Sequence, residues 1–367
     1  MSQDHPPVRS SRRSASRPGA ATTIHDVAAR AGVSVATVSR VLNGKGVVRE
    51  ETLQQVLLAA KTLRYVPNVA ARSLSSRRSQ TIGIVLPEVH GEFFSEVIRG
   101  IDLAARSEGY HILVSGSHSD VGEMVEVLEA MRGRVDGLVV MAPDVALSSV
   151  SGALPPHLPL VLLNCAEPDP DVSSGPDAES RSSITIDNYG GARRMLRHLA
   201  ELGHQRIAFI KGPDENADAE ERLRGYRDHV ELDRLEEDGD FTEESGRLAA
   251  LRILALTPRP TAIFAANDSM AVGALAALAE AAVPAPAQMS VVGFDDIPVA
   301  RYVTPPLTTI RVDIAELGAR AFGLLLARIE QPSDPDRRRD RIATTLVVRG
   351  SCSSPETLTM QCPQPEP

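Results

Sequence analysis

The sequence predicts an α/β chain in which two doubly wound parallel sheets lie side by side, preceded by a small all-α unit. Three observations lead there. Residues 23 to 63 carry apolar residues at three-four spacing in three short runs, the pattern of amphipathic helices. From Thr81 onward, apolar runs short enough for strands alternate with amphipathic ones, as parallel sheets covered on both faces require. Midway, the Pro, Asp and Ser-rich stretch "AEPDPDVSSGPDAESRSS" interrupts the alternation and divides it into two sets.

Composition narrows the function. The 367 residues suffice for two or three domains, and 43% hydrophobic with 24% charged residues is ordinary for a soluble globular protein. Net charge is −9, yet residues 1 to 80 hold 13 Lys and Arg against 4 Asp and Glu, so an end of +9 is joined to a body of −18. Such a division suits an end that meets a polyanion and a body that avoids it. Cys165, Cys352 and Cys362 have no metal-ligand spacing and suit reduced thiols in a cytoplasm; neither a metal nor a cofactor is expected. No apolar run approaches the roughly 20 residues of a membrane span, and the polar start has no apolar signal core. Membrane attachment and export are therefore not expected.

Residues 1–21, rich in Pro, Ser and Arg, read as a basic arm without regular structure. Thr23 can cap a first helix with Asp26 three residues on, and Ile24, Val27, Ala28 and Ala31 form its apolar face. Gly32-Val33 breaks the pattern, and Ser34 can cap a second helix, Val35 to Leu42. There Val38, Val41 and Leu42 face the first helix, whereas Val35, Ala36, Thr37, Ser39 and Arg40 point away. A third helix, Glu50 to Leu63, presents Leu53, Val56, Leu57, Ala60 and Leu63. The segment Asn68 to Leu74 could be helical but is too short to be stable alone in water. The expected divisions are an arm (1–21), a three-helix headpiece (22–66), a hinge and linker (67–80), a two-lobed body (81–350) and a tail without structure (351–367).

In the body, "TIGIVL", "YHILVSG", "VDGLVVM" and "LPLVLLN" read as strands of one sheet, and "SSITID", "RIAFIKG", "TAIFAAN" and "MSVVGFD", which follow the dividing stretch, as strands of the other. A last helix, Ile314 to Ile329, and a final strand, Ile342 to Val348, are expected to return across the divide. Sites in such folds lie beyond the carboxyl ends of strands, so two sets of ends could face one cleft.

Two helices joined by a Gly-containing turn, the second presenting small side chains, fit a helix-turn-helix. Val35 and Ala36 offer methyls suited to thymine; Thr37, Ser39 and Arg40 can bind phosphates or bases. A plain helical hairpin shares the spacing, and the +9 charge favours the DNA reader. For the cleft, Asn164, Arg222, Asn267-Asp268 and Asp295 supply amides, a guanidinium and carboxylates suited to vicinal hydroxyls, as in a sugar or nucleoside. Alternatives stand beside these roles. Arg222 could pair with Asp218, Glu220 or Glu221 on an exposed helix, Asp268 could cap the helix after it, and Phe93 and Phe94 could be core rather than a stacking surface.

The run "TIHDVAARAGVSVATVSRVLNGKGVVREETLQQVLLAAKTLRYVPNVAARSL" resembles the headpiece of LacI/GalR-type transcriptional regulators. The likeness continues through "TIGIVLPEVHGEFFSEVIRGI", "LGHQRIAFIKGP", "RLRGY", "FAANDSMAVGAL" and "VVGFDDIPVARYVTPPLTTI", over about residues 22 to 350. It implies a periplasmic-binding-protein-like core and a homodimer on a palindromic duplex operator, acting as repressor of a carbohydrate-utilisation operon under allosteric control by a sugar or related polyol. The positions of Val35 and Ala36 choose the operator sequence, and those of Thr37, Ser39, Arg40 and Asn43 contact DNA. Thr23 and Ser34, at the helix starts, are placed with them. Asn68 to Leu74, including Ala71 and Arg72, matches a hinge helix in the minor groove, with Leu74 as the wedge between base pairs. Arg222, Asn267 and Asp295 match the main hydroxyl-binding positions, Asn164 a frequent fourth, and Phe93-Phe94 an aromatic pair near the pocket. One departure is "RDHVELDRLEED", short and very acidic, where the preceding helix is expected to end early.

A solute-binding protein would share the body but not the basic headpiece. An enzyme on this scaffold would need a nucleophile with its base, a phosphate loop or G-x-G-x-x-G after the first strand, and the sequence offers none of them. No enzymatic activity is expected.

Overall fold

The structure, a computed structural model, describes residues 22–42, 48–65, 78–144, 158–165, 182–230, 233–331 and 338–355. The basic arm, Asn43, Asn68, Ala71, Arg72, Leu74 and Cys362 lie outside the described residues. The chain divides into two compact units, one ending at Ser79 and one beginning at Gln80.

The first unit is built on helices α1 (Ile24–Ala31), α2 (Val35–Leu42) and α3 (Glu50–Thr62). A reciprocal capping box starts α1: Asp26 N donates to Thr23 Oγ1 and Thr23 N donates to Asp26 Oδ2. Gly32 closes the helix at φ +66°, a left-handed position that favours glycine. At α2, Ser34 Oγ accepts from Thr37 N at 3.2 Å. Val27, Ala28, Val38, Val41, Val56, Ala59 and Ala60 form the buried core. Two expectations are corrected here. Leu57, expected on the apolar face of α3, is 45% exposed, because the buried face runs through Val56, Ala59 and Ala60. Val35, expected to point outward, packs partly against the core.

The second unit holds two six-stranded sheets. The first runs β11-β5-β4-β3-β1-β2, from β1 (Thr81–Leu86), β2 (His111–Gly116), β3 (Gly137–Met141), β4 (Leu160–Leu163), β5 (Ser182–Ile186) and β11 (Arg339–Ile342), all parallel. The second runs β12-β10-β9-β8-β6-β7, from β6 (Ile207–Ile210), β7 (Leu235–Glu237), β8 (Ala262–Ala265), β9 (Ser290–Asp295), β10 (Thr308–Arg311) and β12 (Thr345–Val347). Alternating residues of β1 go to opposite faces: Ile82, Ile84 and Leu86 join one core while Val85 joins another with Met124 and Leu128. Burial on both faces explains the unbroken apolar strands.

Helices α4 (Glu92–Ser107) and α10 (Ile314–Glu330) pack on each other in the first lobe, and α8 (Glu243–Leu254) and α9 (Asp268–Glu280) in the second. Both pairs meet at glycines. A β-carbon on Gly100 would overlap the Ala315 carbonyl and one on Gly318 the Val97 carbonyl; Gly246 and Gly273 stand in the same relation to Met270 and Glu243. The remaining helices are α5 (Val121–Met131), α6 (Asn188–Glu201) and α7 (Ala217–Arg227).

The chain crosses between lobes at Asp187, at Val312-Asp313 and at Ala343-Thr344. The first crossing corrects the grouping of "SSITID" with the second set: β5 follows the dividing stretch but pairs with β4 and β11 in the first sheet. The third crossing corrects the expected strand Ile342 to Val348. Its residues divide between the sheets, Ile342 ending β11 in the first and Thr345 beginning β12 in the second, where β12 runs antiparallel to β10. The acidic segment also differs from expectation: α7 does end at Arg227, and the chain then adds β7 as an edge strand, held by Arg227 Nε on Glu236 Oε1 at 2.8 Å. Nor is all of 351–367 an unstructured tail. Ser351 is fully buried, its Oγ accepting from Thr308 N and donating to Val291 O, because buried backbone groups where β9 and β10 begin need partners.

Candidate functional site

Within the first unit, α2 leaves Ala36 and Arg40 exposed and Thr37 and Ser39 half-exposed, on the side away from Val38 and Val41. Short side chains on that side let a helix approach closely the edges of bases, and Arg40 in its last turn supplies a cation. Thr23 and Ser34 are engaged as helix caps.

In the second unit, a cavity of about 320 Å³ lies between the lobes at the carboxyl ends of β1, β3, β6, β8 and β9. Arg222 on α7 organises its floor and is 3% exposed. Its Nε donates to Asn188 Oδ1 (2.9 Å), its Nη1 to the Ala266 carbonyl (2.7 Å), and its Nη2 lies 3.0 Å from Asp295 Oδ1. The guanidinium carbon sits 4.0 Å from the Phe294 ring centroid. Asn188 in turn donates to Asp218 Oδ1 at 2.6 Å. The exposed-helix reading of Arg222 is thereby corrected: its ion partner is Asp295, across the sheet end, and Glu220 and Glu221 are not involved.

Asp295 leaves β9 at φ +111° and is followed by Asp296 at φ +57°. This reversal sends the two carboxyls opposite ways. Asp295 lines the cavity, whereas Asp296 is buried against Arg311 Nε (2.6 Å) and the Arg349 guanidinium. Asn267 lines the cavity and caps α9, its Oδ1 accepting from Met270 N (2.9 Å) and its Nδ2 donating to the Phe241 carbonyl (3.0 Å). One amide N–H and one lone pair remain for a ligand. Asp268 does not cap α9. It is fully buried, bonded to Thr309 Oγ1 (2.5 Å) and Ile297 N (3.0 Å), and burial first, then the nearby Asp295 charge, hold its carboxyl well above the ordinary range.

Phe93 and Phe94 both line the cavity, edge to face with centroids 5.6 Å apart, while packing partly on the core. Both readings of the pair therefore hold in part. Asn164, at φ +45°, is 2% exposed and does not line the cavity; its amide lies near Asp218 without a well-formed hydrogen bond. Sequence reasoning missed Asn188, Asn216, Asp144 and the role of Asp218. The available signals were the strand-end position of Asn188 and the i,i+4 spacing of Asp218 and Arg222, which puts both on one helix face.

Three contacts join the lobes around the cavity. Asn216 Nδ2 donates to Asp144 Oδ1 (2.5 Å), Ala217 N to the Pro143 carbonyl (3.2 Å), and Val299 N to Glu92 Oε2 (2.9 Å). Burial pushes the Asp295 and Asp218 carboxyls up to about 6, against the lowering effect of Arg222 on both. Such carboxyls prefer to be protonated in the folded chain, so their burden on stability is absent below the unfolded value near 3.8 and grows as pH rises through about 6. Asp218→Asn is expected to flatten that slope between about pH 4 and 6, read as urea midpoints. An unchanged slope would contradict the raised carboxyl.

Among the described residues no group of His, Cys, Asp and Glu could hold a metal ion, and no helix is long and apolar enough to cross a membrane. Cys165 and Cys352 are free thiols.

Comparison with known proteins agrees with both parts. The model of bacterial regulatory proteins of the lacI family matches residues 23–68, and that of a periplasmic binding protein-like domain matches residues 196–352. The HTH-type transcriptional repressor PurR of Proteus mirabilis is 37% identical over 340 residues, spanning 90% of this chain and 96% of the relative. The ribose operon repressor of Escherichia coli is 36% identical over 338 residues, spanning 90% and 99%. Among solved structures, the lac repressor dimer bound to operator and the anti-inducer ONPF is similar with a TM-score of 0.81 and 30% identity, over 91% of this chain and all of that one. The helix-turn-helix, the two-lobed core and full-length identity above 30% make this chain a member of the LacI family of bacterial transcriptional regulators.

Proposed function

We propose that the protein is a cytoplasmic, dimeric repressor of a carbohydrate-utilisation operon, without enzymatic activity, that binds a palindromic operator and is switched by a sugar or related polyol in the interlobe cleft. The observation that carries this is the cleft's Arg222, hydrogen-bonded to Asn188 and ion-paired with Asp295, in a cavity that Phe93 and Phe94 also line and in a chain with a helix-turn-helix. Amides, carboxylates and aromatic faces are the groups that hold a sugar's hydroxyls and apolar ring face. Relatives named for a ribose operon and for a repressor bound to operator support the reading.

A two-fold dimer matches a palindrome by symmetry. Only an effector with unequal affinity for two lobe arrangements can alter DNA binding, and the contacts of Asn216, Ala217 and Val299 belong to one such arrangement. Asn68, Ala71, Arg72 and Leu74 would couple the lobes to DNA as a hinge helix.

A gel shift with an operator selected from random duplexes, repeated with a sugar panel, tests the function. Retention altered by one sugar is expected; indifference to every duplex would overturn it. Leu74→Ala is expected to weaken operator binding at least tenfold while leaving sugar affinity unchanged. Equal operator affinity in that variant would remove the wedge.

A further inference from the structure

We propose that the interlobe cleft selects ligands bearing no anionic group, accepting uncharged hydroxylated molecules and rejecting their phosphorylated or carboxylated counterparts. The inference rests on the cleft being the effector site. It follows from the charges that line the cavity. The second lobe contributes Asp218, Asp240, Glu243 and Asp295, and the first contributes Glu88, Glu92 and Asp144. Against these seven carboxyls the described residues of the lining hold a single arginine, Arg222, and the mostly exposed His90.

Arg222 is already neutralised by Asp295. Its Nε and Nη1 donate to Asn188 and the Ala266 carbonyl, its Nη2 faces Asp295, and one flat face is covered by Phe294. A phosphate or carboxylate could displace Asp295 only by forcing a buried carboxylate to give up its cation.

Helix amino ends are the other means of receiving an anion, and four open on this cavity. Three are closed by side chains, α7 by Asn216, α8 by Thr242 and α9 by Asn267. The fourth, α4, has no side-chain cap after Gly91, but its first residue is Glu92, whose Oε2 already accepts from Val299 N, and Glu88 flanks it. An anion there would meet two carboxylates before any free N–H.

The cavity does present an acceptor. The Asp295 carboxylate lines it, with Oδ1 buried against Arg222 and the lone pairs of Oδ2 left over. A ligand hydroxyl can donate to that carboxylate; an ionised phosphate or carboxylate group has no proton to give it.

The test is isothermal titration of the full chain at pH 7.5 with matched probes: D-ribose and D-ribose 5-phosphate; D-glucose, D-glucose 6-phosphate and D-glucuronate; D-galactose, D-galactose 6-phosphate and D-galacturonate. At least one uncharged sugar is expected to bind, with each of its anionic counterparts at least tenfold weaker. Glu92→Gln, which keeps an acceptor for Val299 N, is expected to narrow that gap. An anionic probe binding as tightly as its uncharged parent, with affinity lost in Asp295→Asn, overturns the charge selection and leaves the cleft as the site. Binding of any probe that is indifferent to Asp295→Asn, in a variant with an unchanged circular dichroism spectrum, overturns the cleft reading itself. Silence across the whole panel overturns both.

Discussion

Arg222→Ala is expected to destabilise the second unit by about 3–5 kcal/mol at pH 7, the cost of leaving a buried charge without its partner. The side chain is 3% exposed and Asp295 5%, so water cannot replace the lost guanidinium. Two further groups lose their donor, Asn188 Oδ1 and the Ala266 carbonyl. The loss should shrink at pH 5. Asp295 is already pushed up to about 6 with Arg222 present, and Arg222 acts to lower it; without that cation the carboxyl rises further and is neutral at pH 5. Urea denaturation followed by circular dichroism at the two pH values reads both effects. A variant as stable as the parent at pH 7 would mean that the cluster is solvated, contrary to its burial.

The second large effect concerns helix packing. In a helix interior, replacing glycine with alanine ordinarily stabilises by about 1 kcal/mol. At Gly273 the sign should reverse, because the added carbon overlaps the Glu243 carbonyl and crowds Arg247 N on α8. The helices must separate, and overpacking of this kind costs about 1–3 kcal/mol, more where backbone rather than a side chain has to move. Gly323 is the matched control: it lies within α10 with nothing near its missing β-carbon, so Gly323→Ala should stabilise. Opposite shifts in unfolding midpoint for the two variants are expected. Equal shifts would show that close approach of α8 and α9 is not what Gly273 provides.

The alternation of strand and helix was legible because most strands are apolar runs buried on both faces, and the half-exposed β2 still keeps Ile112, Leu113 and Val114 together. Strands without such a run escaped the reading. Leu235–Glu237 is a half-buried edge strand with two acidic residues and gives no apolar signal. "IATTLVV" is one continuous strand-like run, and nothing local reveals that Ala343 and Thr344 carry it from one sheet to another. Leu57 matched helical spacing as well as Ala59 did, since two adjacent stripes are both apolar.

In the cleft, residue types at strand ends pointed to Arg222, Asn267 and Asp295, and all three line the cavity. Two of the partners of Arg222 were not legible. Asn188 and Ala266 come from elements distant in sequence and meet it only in the fold. The division of labour between Asp295 and Asp296 depends on two left-handed backbone positions that residue identity does not announce.

The threefold passage of the chain between its lobes bears on how the molecule is made. The helix beginning at Ile314 packs on the sheet at Gly137–Met141 and Leu160–Leu163, strands more than a hundred residues earlier. During synthesis, Val139, Met141, Val161 and Leu163 must therefore wait for almost the last part of the polypeptide to leave the ribosome. A product terminated before that helix would leave part of an apolar sheet uncovered and be prey to aggregation or proteolysis, even with its headpiece and most of its second lobe already assembled.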